Sequence, residues 1–304
     1  MTHIAQKKKN REAFKLFLFI VPCLIFVFLF SYLPLRGWMY AFSDYKPGYP
    51  LESLNWGFFN FTRLFENATM RAQMLQVIGN TLFYALMGIV LSPVPMIFAI
   101  FLNEMRSNKY RKFVQTVTTL PHFISWVIMY SIVYFMFSPS GVVNLAIQAL
   151  GGNPVDPLTT ANGALILQRV YALWKETGWN AIIYLAAIAS IDQDQYEAAM
   201  IDGANRRQKI WYITVPGLIG TFFVLLVMNF GNLLNQGTDQ FLLFQNGFNK
   251  EQIQVLDLYV YNLGIGNAQY ALATAVGMAK SIIALVLFLF ANFLSKKVRG
   301  TSVF

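Results

Sequence analysis

The residues with most to say about chemistry lie in one polar island, Tyr196 to Pro216, which reads YEAAMIDGANRRQKIWYITVP between two membrane-length apolar segments. Glu197 carries a charge, Ala198 and Ala199 allow close backbone approach by another surface, and Arg206, Arg207 and Lys209 offer positive charge to it. Small residues around a central Gly203 fit a docking element better than a plain connector. Asp192 with Gln195 predicts a capping box, and Gln193 to Asp202 predicts a helix that ends at Gly203 in the left-handed C-terminal position. A second short helix is expected from about Asn205 to Tyr212, running into an apolar span near Pro216. By periodicity alone, an ordinary amphipathic surface loop is the competing reading.

A second set of residues could meet a hydroxyl-rich solute. Asn229, Asn232 and Gln236 recur at i, i+3 and i+7 near the end of an apolar helix and form a polar stripe. Interhelical hydrogen bonding is the alternative use of such a stripe. Tyr130, Tyr134 and Trp179, with Trp126, Trp174 and Tyr184, offer ring faces for sugars, although aromatics in membrane helices also serve as packing or interfacial residues. Arg169, Lys175, Glu176 and Lys280 fall within apolar spans and must find shielding or partners there. His122 is one of only 2 histidines and has no acidic neighbour in sequence, so a metal or catalytic role is rejected for it. The lone Cys23 lies inside an apolar segment and excludes a disulfide framework within the chain.

The elements that position these groups follow from composition. Of 304 residues, 56% are hydrophobic and only 12% charged, which is outside the range of soluble domains and indicates an integral membrane protein. Long uncharged runs predict six transmembrane helices, at 14–35, 77–102, 118–138, 165–191, 211–235 and 271–295. The net charge of +9 collects in the tails and in the 103–117 and 192–212 loops, which reads as membrane topology with both termini cytoplasmic, not as nucleic-acid binding. The first span has no cleavage site after it and is expected to stay as an anchor. Its fourth counterpart keeps only Gly178 to Ile191 free of charge, too short to cross unshielded. Pro93 and Pro95 remove hydrogen bonds inside the second span and should kink it, which neighbouring helices can tolerate. External segments are expected at 36–76, an aromatic cap; at 139–164, turn-rich with prolines that stop any helix; and at 236–270, a re-entrant or surface stretch.

The order Glu197-Ala198-Ala199, Asp202-Gly203-Ala204, Ile213 and Pro216 resembles the EAA motif of importer permeases in the ATP-binding cassette class, with Val215 in place of the usual Leu. The resemblance covers nearly the whole chain and runs to the carbohydrate-uptake branch that handles oligosaccharides and polysaccharide fragments. SYLPLRGWMYAFSDY, NEMRSNKYRKFVQTVTTLPHFISW, ETGWNAIIYLAAIASIDQDQYEAAMIDGA and YALATAVGMAKS carry it. It implies an all-α type I importer permease in a bacterial plasma membrane: a cytoplasmic tail 1–13, a six-helix domain 14–295 with a coupling loop at 192–212, and a cytoplasmic tail 296–304. It also implies that Glu197, Ala198, Ala199, Asp202, Gly203, Ala204, Arg206 and Pro216 serve ATPase coupling. Implied partners are a second related permease, two cytoplasmic ATPase subunits and an external solute-binding protein. The chain has no G-x-x-x-x-G-K-[ST] phosphate loop, so ATP and Mg are expected in the partner ATPase. A permease for another solute, an ion-coupled secondary transporter and a membrane-embedded enzyme are the alternatives; the spans lack the paired acidic residues that ion coupling calls for.

Overall fold

Apolar runs of this length can satisfy their backbone groups inside a bilayer only as helices, and among the described residues of the computed structural model the regular structure is helical apart from one isolated bridge between Ser43 and Trp56. Residues 2–50 and 53–299 are described; the expected tail residues 300–304 lie outside them. The order is α1 (Thr2–Val27), α2 (Phe59–Glu66), α3 (Ala68–Val90), α4 (Val94–Asn103), α5 (Asn108–Thr119), α6 (Trp126–Phe137), α7 (Val142–Ala149) and α8 (Ala164–Ala189). There follow α9 (Gln193–Ile201), α10 (Arg206–Lys209), α11 (Val215–Gly231), α12 (Asp239–Phe244), α13 (Lys250–Ile253), α14 (Leu256–Tyr261) and α15 (Tyr270–Arg299).

Among the described residues, five helical stretches are long and apolar enough to cross a membrane: Glu12–Phe42, Ala68–Asn103, Trp126–Ala149, Arg206–Gly231 and Tyr270–Phe293. The expected sixth, 165–191, is one unbroken helix, α8, but its charged N-terminal half keeps it out of that set. Other boundaries shift for local reasons. Lysine and arginine form helix well, so α1 starts at Thr2 instead of near residue 14. Pro93 ends the α3 ladder at Val90 and becomes the N-cap of α4. Pro121 sits in a 3-10 turn, and Ile124 is extended, so the third membrane-length stretch begins at Trp126, capped by Ser125, not at 118. That stretch reaches Ala149 because α7 forms before Pro154, within a segment expected to be free of helix.

The chain divides into two units, residues 1–68 with 262–279 and residues 69–261 with 280–304. In the first, the aromatic segment packs on itself. Asn60 Nδ2 donates to the carbonyls of Ala41 (2.9 Å) and Ser43 (2.7 Å), and Phe42 meets Phe58 edge-on at 5.4 Å. Asp44 accepts from the side-chain amide and backbone N–H of Asn55, which hold its carboxyl below the ordinary aspartate range.

In the second unit α8 is the central element. It buries Ala181, Tyr184 and Ile188 against Ala99 and Ile100 of α4 and Leu218 of α11. Gly178 is what lets α5 come close, because a Cβ there would stand 2.1 Å from the Thr118 carbonyl oxygen. The 236–270 segment is no loose surface stretch: Phe241, Ile253, Val255 and Leu258 are fully buried and join Tyr84, Met129 and Tyr171 in one apolar cluster. Asn249, a loop position by sequence, is 3% exposed and donates to the carbonyls of Leu158 and Phe244.

Candidate functional site: a polar island and a polar cavity

The island folds as helix, turn, helix. Asp192 caps α9 by accepting from Asp194 N–H at 3.1 Å, but the expected box with Gln195 does not form. Gln195 instead gives its N–H to the Asp192 carbonyl. At the other end, Gly203 has φ +75°, Gly203 N–H bonds Met200 O at 3.1 Å and Ala204 N–H bonds Ala199 O at 2.8 Å. This is the paired closure of a helix by a left-handed residue. The reciprocal capping box lies one step on: Asn205 N–H donates to Gln208 Oε1 (2.7 Å) and Gln208 N–H to Asn205 Oδ1 (3.0 Å). Pro216 has no N–H for a carbonyl four residues back, and the chain passes it through a π-helical turn, Ile210–Thr214, in which Val215 N–H reaches Ile210 O.

Two ties hold the island to the helices. Arg206 makes an ion pair through Nε with Glu104 at the end of α4, and its Nη2 donates to the Glu104 carbonyl. Tyr196 Oη lies 2.9 Å from Oγ1 of Thr214, which is buried at the foot of α11. Glu197, Ala198, Asp202 and Gly203 are exposed and Ala199 and Ala204 half-buried, while Ile201, 88% exposed, puts a large apolar side chain on the same surface. Glu104 was missed by sequence reasoning, since it lies 102 residues from its partner.

A cavity of about 320 Å³ opens among α3, α4, α8 and α11. Asn229, Asn232 and Gln236 all line it, with Ser92, Arg169, Glu176 and Asn180. The three come together although α11 stops at Gly231, so Gln236 lies beyond the helix. Asn232 and Gln236 turn their amide N–H groups back onto Met228 O and Leu233 O, within their own segment and not across helices. Tyr130, Tyr134 and Trp179 are not in the cavity wall. Tyr130 packs against Phe244 at 5.2 Å and beside Tyr134, and Trp179 stacks on the His122 ring at 4.3 Å.

The charges within the spans fall into three separate groups. His122 Nδ1 is 2.8 Å from Glu176 Oε2, an acidic partner that sequence proximity did not reveal. Lys175 Nζ donates to His122 O and stands 3.7 Å from Glu176. Arg169 lies 3.6 Å over the Tyr84 ring and donates to the Tyr84 carbonyl at 2.5 Å. Lys280 pairs with Asp257, whose other oxygen accepts from the N–H groups of Gln236 (2.7 Å) and Gly237 (2.9 Å). Among the described residues no group of three or more His, Cys, Asp or Glu side chains could hold a metal ion.

Residues 92–300 match the family described as binding-protein-dependent transport system inner membrane component. The chain is 37% identical over 284 residues to Protein LplB of Bacillus subtilis (strain 168), covering 93% of this chain and 88% of that one. It is 38% identical over 285 residues to the polygalacturonan/rhamnogalacturonan transport system permease protein YteP of the same organism, with the same coverage of 93% and 88%. Among solved structures, a chain of a bacterial ABC transporter involved in the import of the acidic polysaccharide alginate superposes with a TM-score of 0.86 at 36% identity, over 97% of this chain and 99% of that one.

Proposed function

This chain belongs to the family of binding-protein-dependent transport system inner membrane components, and on that premise we propose that it is a permease subunit of an ATP-driven importer whose cargo is an oligosaccharide. The observation that carries the cargo class is near full-length similarity, at 36–38% identity, to a permease named for polygalacturonan/rhamnogalacturonan transport and to a chain of an ABC transporter involved in alginate import. An external solute-binding protein delivers the sugar. A second, related permease completes the pathway, and two cytoplasmic ATPase subunits bind ATP and Mg. Residues 1–13 and 296–304 are cytoplasmic tails, 14–295 is the membrane domain, and α8 makes the sixth crossing, with Gln168 and Lys175 buried away from lipid.

In this reading residues 192–212 are the coupling loop. Glu197, Ala198, Ala199, Asp202, Gly203 and Ala204 meet the ATPase. Arg206 and Pro216 pass its movement on, the first to α4 through Glu104, the second at the foot of α11. Closure of the ATPases on ATP pulls this loop, and the helices rock between inward-open and outward-open arrangements. Asn229, Asn232 and Gln236 face the solute, and the ring faces of Tyr130, Tyr134 and Trp179, outside the polar cavity, are assigned to the same path.

Purification of the tagged chain from its host tests the function. ATPase and a second permease are expected to come with it, with ATP hydrolysis stimulated by sugar-loaded binding protein. Ion-driven uptake by the chain alone would instead establish a secondary transporter. Topology is checked in a Cys23→Ser background. Cysteines at Asn205 and Thr301 should react only from the cytoplasmic side, and those at Asn153 and Lys250 only from outside; outside labelling of Asn205 would reverse the orientation. Lys250 serves here because the neighbouring Asn249 is buried.

A further inference from the structure

Helix α5 is too short to cross a membrane by itself, since its 12 residues reach about 18 Å against a hydrocarbon core of about 30 Å. One side of it is pressed on α8, where the Thr118 carbonyl packs against Gly178. Another side leaves Tyr110, Phe113, Val117 and Leu120 exposed at i, i+3, i+7 and i+10, a continuous apolar stripe. Cations gather where that stripe begins: Arg106, Lys109 and Lys112 are exposed and Arg111 is half-buried. Glu104 is the only acidic residue between Asn103 and Trp126, and Arg206 has taken it. None of the four cations makes an ion pair or a side-chain hydrogen bond among the described residues. The same clasp sets a second segment of this kind alongside. There Arg207 and Lys209 are again without an acidic partner among the described residues, and Trp211 and Tyr212 stand exposed next to them. The acids of the island, Asp192, Asp194, Glu197 and Asp202, lie in α9 or cap it, and none pairs with these cations. Two segments 102 residues apart at the clasp thus repeat one order: cation, ring, apolar stretch.

We propose that the surface around the Arg206–Glu104 clasp is a binding site for an anionic phospholipid, whose phosphodiester meets Arg106, Lys109, Lys112 and Arg207 and whose acyl chains lie along the stripe of α5. The order of the groups decides the partner. A phospholipid carries its negative charge at one end and hydrocarbon directly behind it, which is the order in which α5 presents its cations and its apolar side chains. An acidic face of a protein subunit would meet the cations and leave the stripe in water. A free phosphate has nothing to lay against it. Exposed rings beside the cations fit the headgroup layer, where Trp and Tyr are enriched. A bias of basic residues to one side of the membrane calls neither for the stripe nor for two distant segments fastened together. Because the clasp also ties the island to α4, a bound lipid braces that junction. This consequence rests on the coupling reading above; the site itself does not.

For the test, the full-length chain, with the subunits that purify with it, is stripped of lipid in detergent and titrated with phosphatidylglycerol or with phosphatidylcholine of the same acyl chains. Bound lipid is counted by native mass spectrometry. Phosphatidylglycerol is expected to bind about tenfold or more tightly than phosphatidylcholine, and high salt should erode the difference. The triple change Arg106→Gln, Lys109→Gln, Lys112→Gln should lose about tenfold or more of phosphatidylglycerol affinity and leave phosphatidylcholine within about twofold. Lys109→Arg with Lys112→Arg should keep the preference. Taking the same charge from the N-terminal tail, by Lys7→Gln, Lys8→Gln and Lys9→Gln, should leave the tight site as it is. Phe113→Ser should weaken both lipids severalfold and preserve their ratio. Equal binding of the two lipids would overturn the proposal, as would a loss in the tail variant as large as in the triple variant, which would leave only net charge. Displacement of the lipid by equimolar glycerol 1-phosphate would reveal a site for a soluble anion instead. Loss of the ATPase from the triple variant with lipid binding unchanged would assign the cations to a protein contact. The titration needs neither cargo nor ATP, so sugar import without a phosphatidylglycerol preference would sink this site alone, and the preference without sugar import would remove only the importer reading.

Discussion

Complexes carrying Gly203→Val are expected to insert their membrane helices normally, yet to lose most of their ATPase on purification or to hydrolyse ATP without moving solute. Space is not the reason, because a Cβ at Gly203 would meet nothing within 4 Å. The backbone is. At φ +75° a β-branched residue is strained by about 1–3 kcal/mol. Relief of that strain opens the closure of α9 and displaces Asn205, whose capping box starts α10. Glu197→Lys should produce the same uncoupling by reversing charge at an exposed position, where folding is indifferent to it. Gly247→Ala, at an exposed loop position with open space, is the control expected to leave both attachment and transport unchanged. ATPase retention on the affinity column, then solute uptake and ATP hydrolysis in proteoliposomes, decide the matter. Transport at the unmodified rate by both Gly203→Val and Glu197→Lys would remove the coupling role proposed for this loop.

Removing the ammonium of Lys280 should strongly destabilise the bundle. The two charged side chains are only 13% and 16% exposed, so Lys280→Met leaves the Asp257 carboxylate uncompensated, at a cost of about 3–5 kcal/mol. Replacing both, Lys280→Met with Asp257→Asn, should recover most of that loss, since the Asn side-chain oxygen can still accept from the N–H groups of Gln236 and Gly237. Thermal unfolding of the detergent-solubilised complex reads the order: single variant lowest, double variant near the parent. A double variant as unstable as the single one would show that the ion pair itself, and not the stranded charge, carries the stability.

How much of this was open to sequence reading depends on distance along the chain. Helix α9 and the turn at Gly203 are local effects of residues acting on their own backbone, and they stand where the sequence places them to within a residue or two; at Pro93 the expected kink is a full break between two helices. The polar stripe was legible by period, although its last member lies past the helix end. The partners of His122, Arg206 and Lys280 were not legible, because they are 54, 102 and 23 residues away and only the packing of separate helices brings them together. The same holds for Asn249, which falls in the segment 236–270 expected to be external and which the fold uses as a buried hydrogen-bonding post. Polar residues inside spans told that partners were needed, but not which.

The wide turn at Ile210–Thr214 has a geometric consequence along the whole of the stretch Arg206–Gly231. Each residue of an α-helix advances the side-chain bearing by about 100°, and a π-turn holds one residue more than an α-turn. The turn therefore acts as an angular offset between the foot of this rod and its head. It lets Arg206 point to Glu104 while Asn229, six turns further along, points to the cavity. A rod of the same residues wound as uninterrupted α-helix would keep one of those bearings and swing the other aside by about 100°.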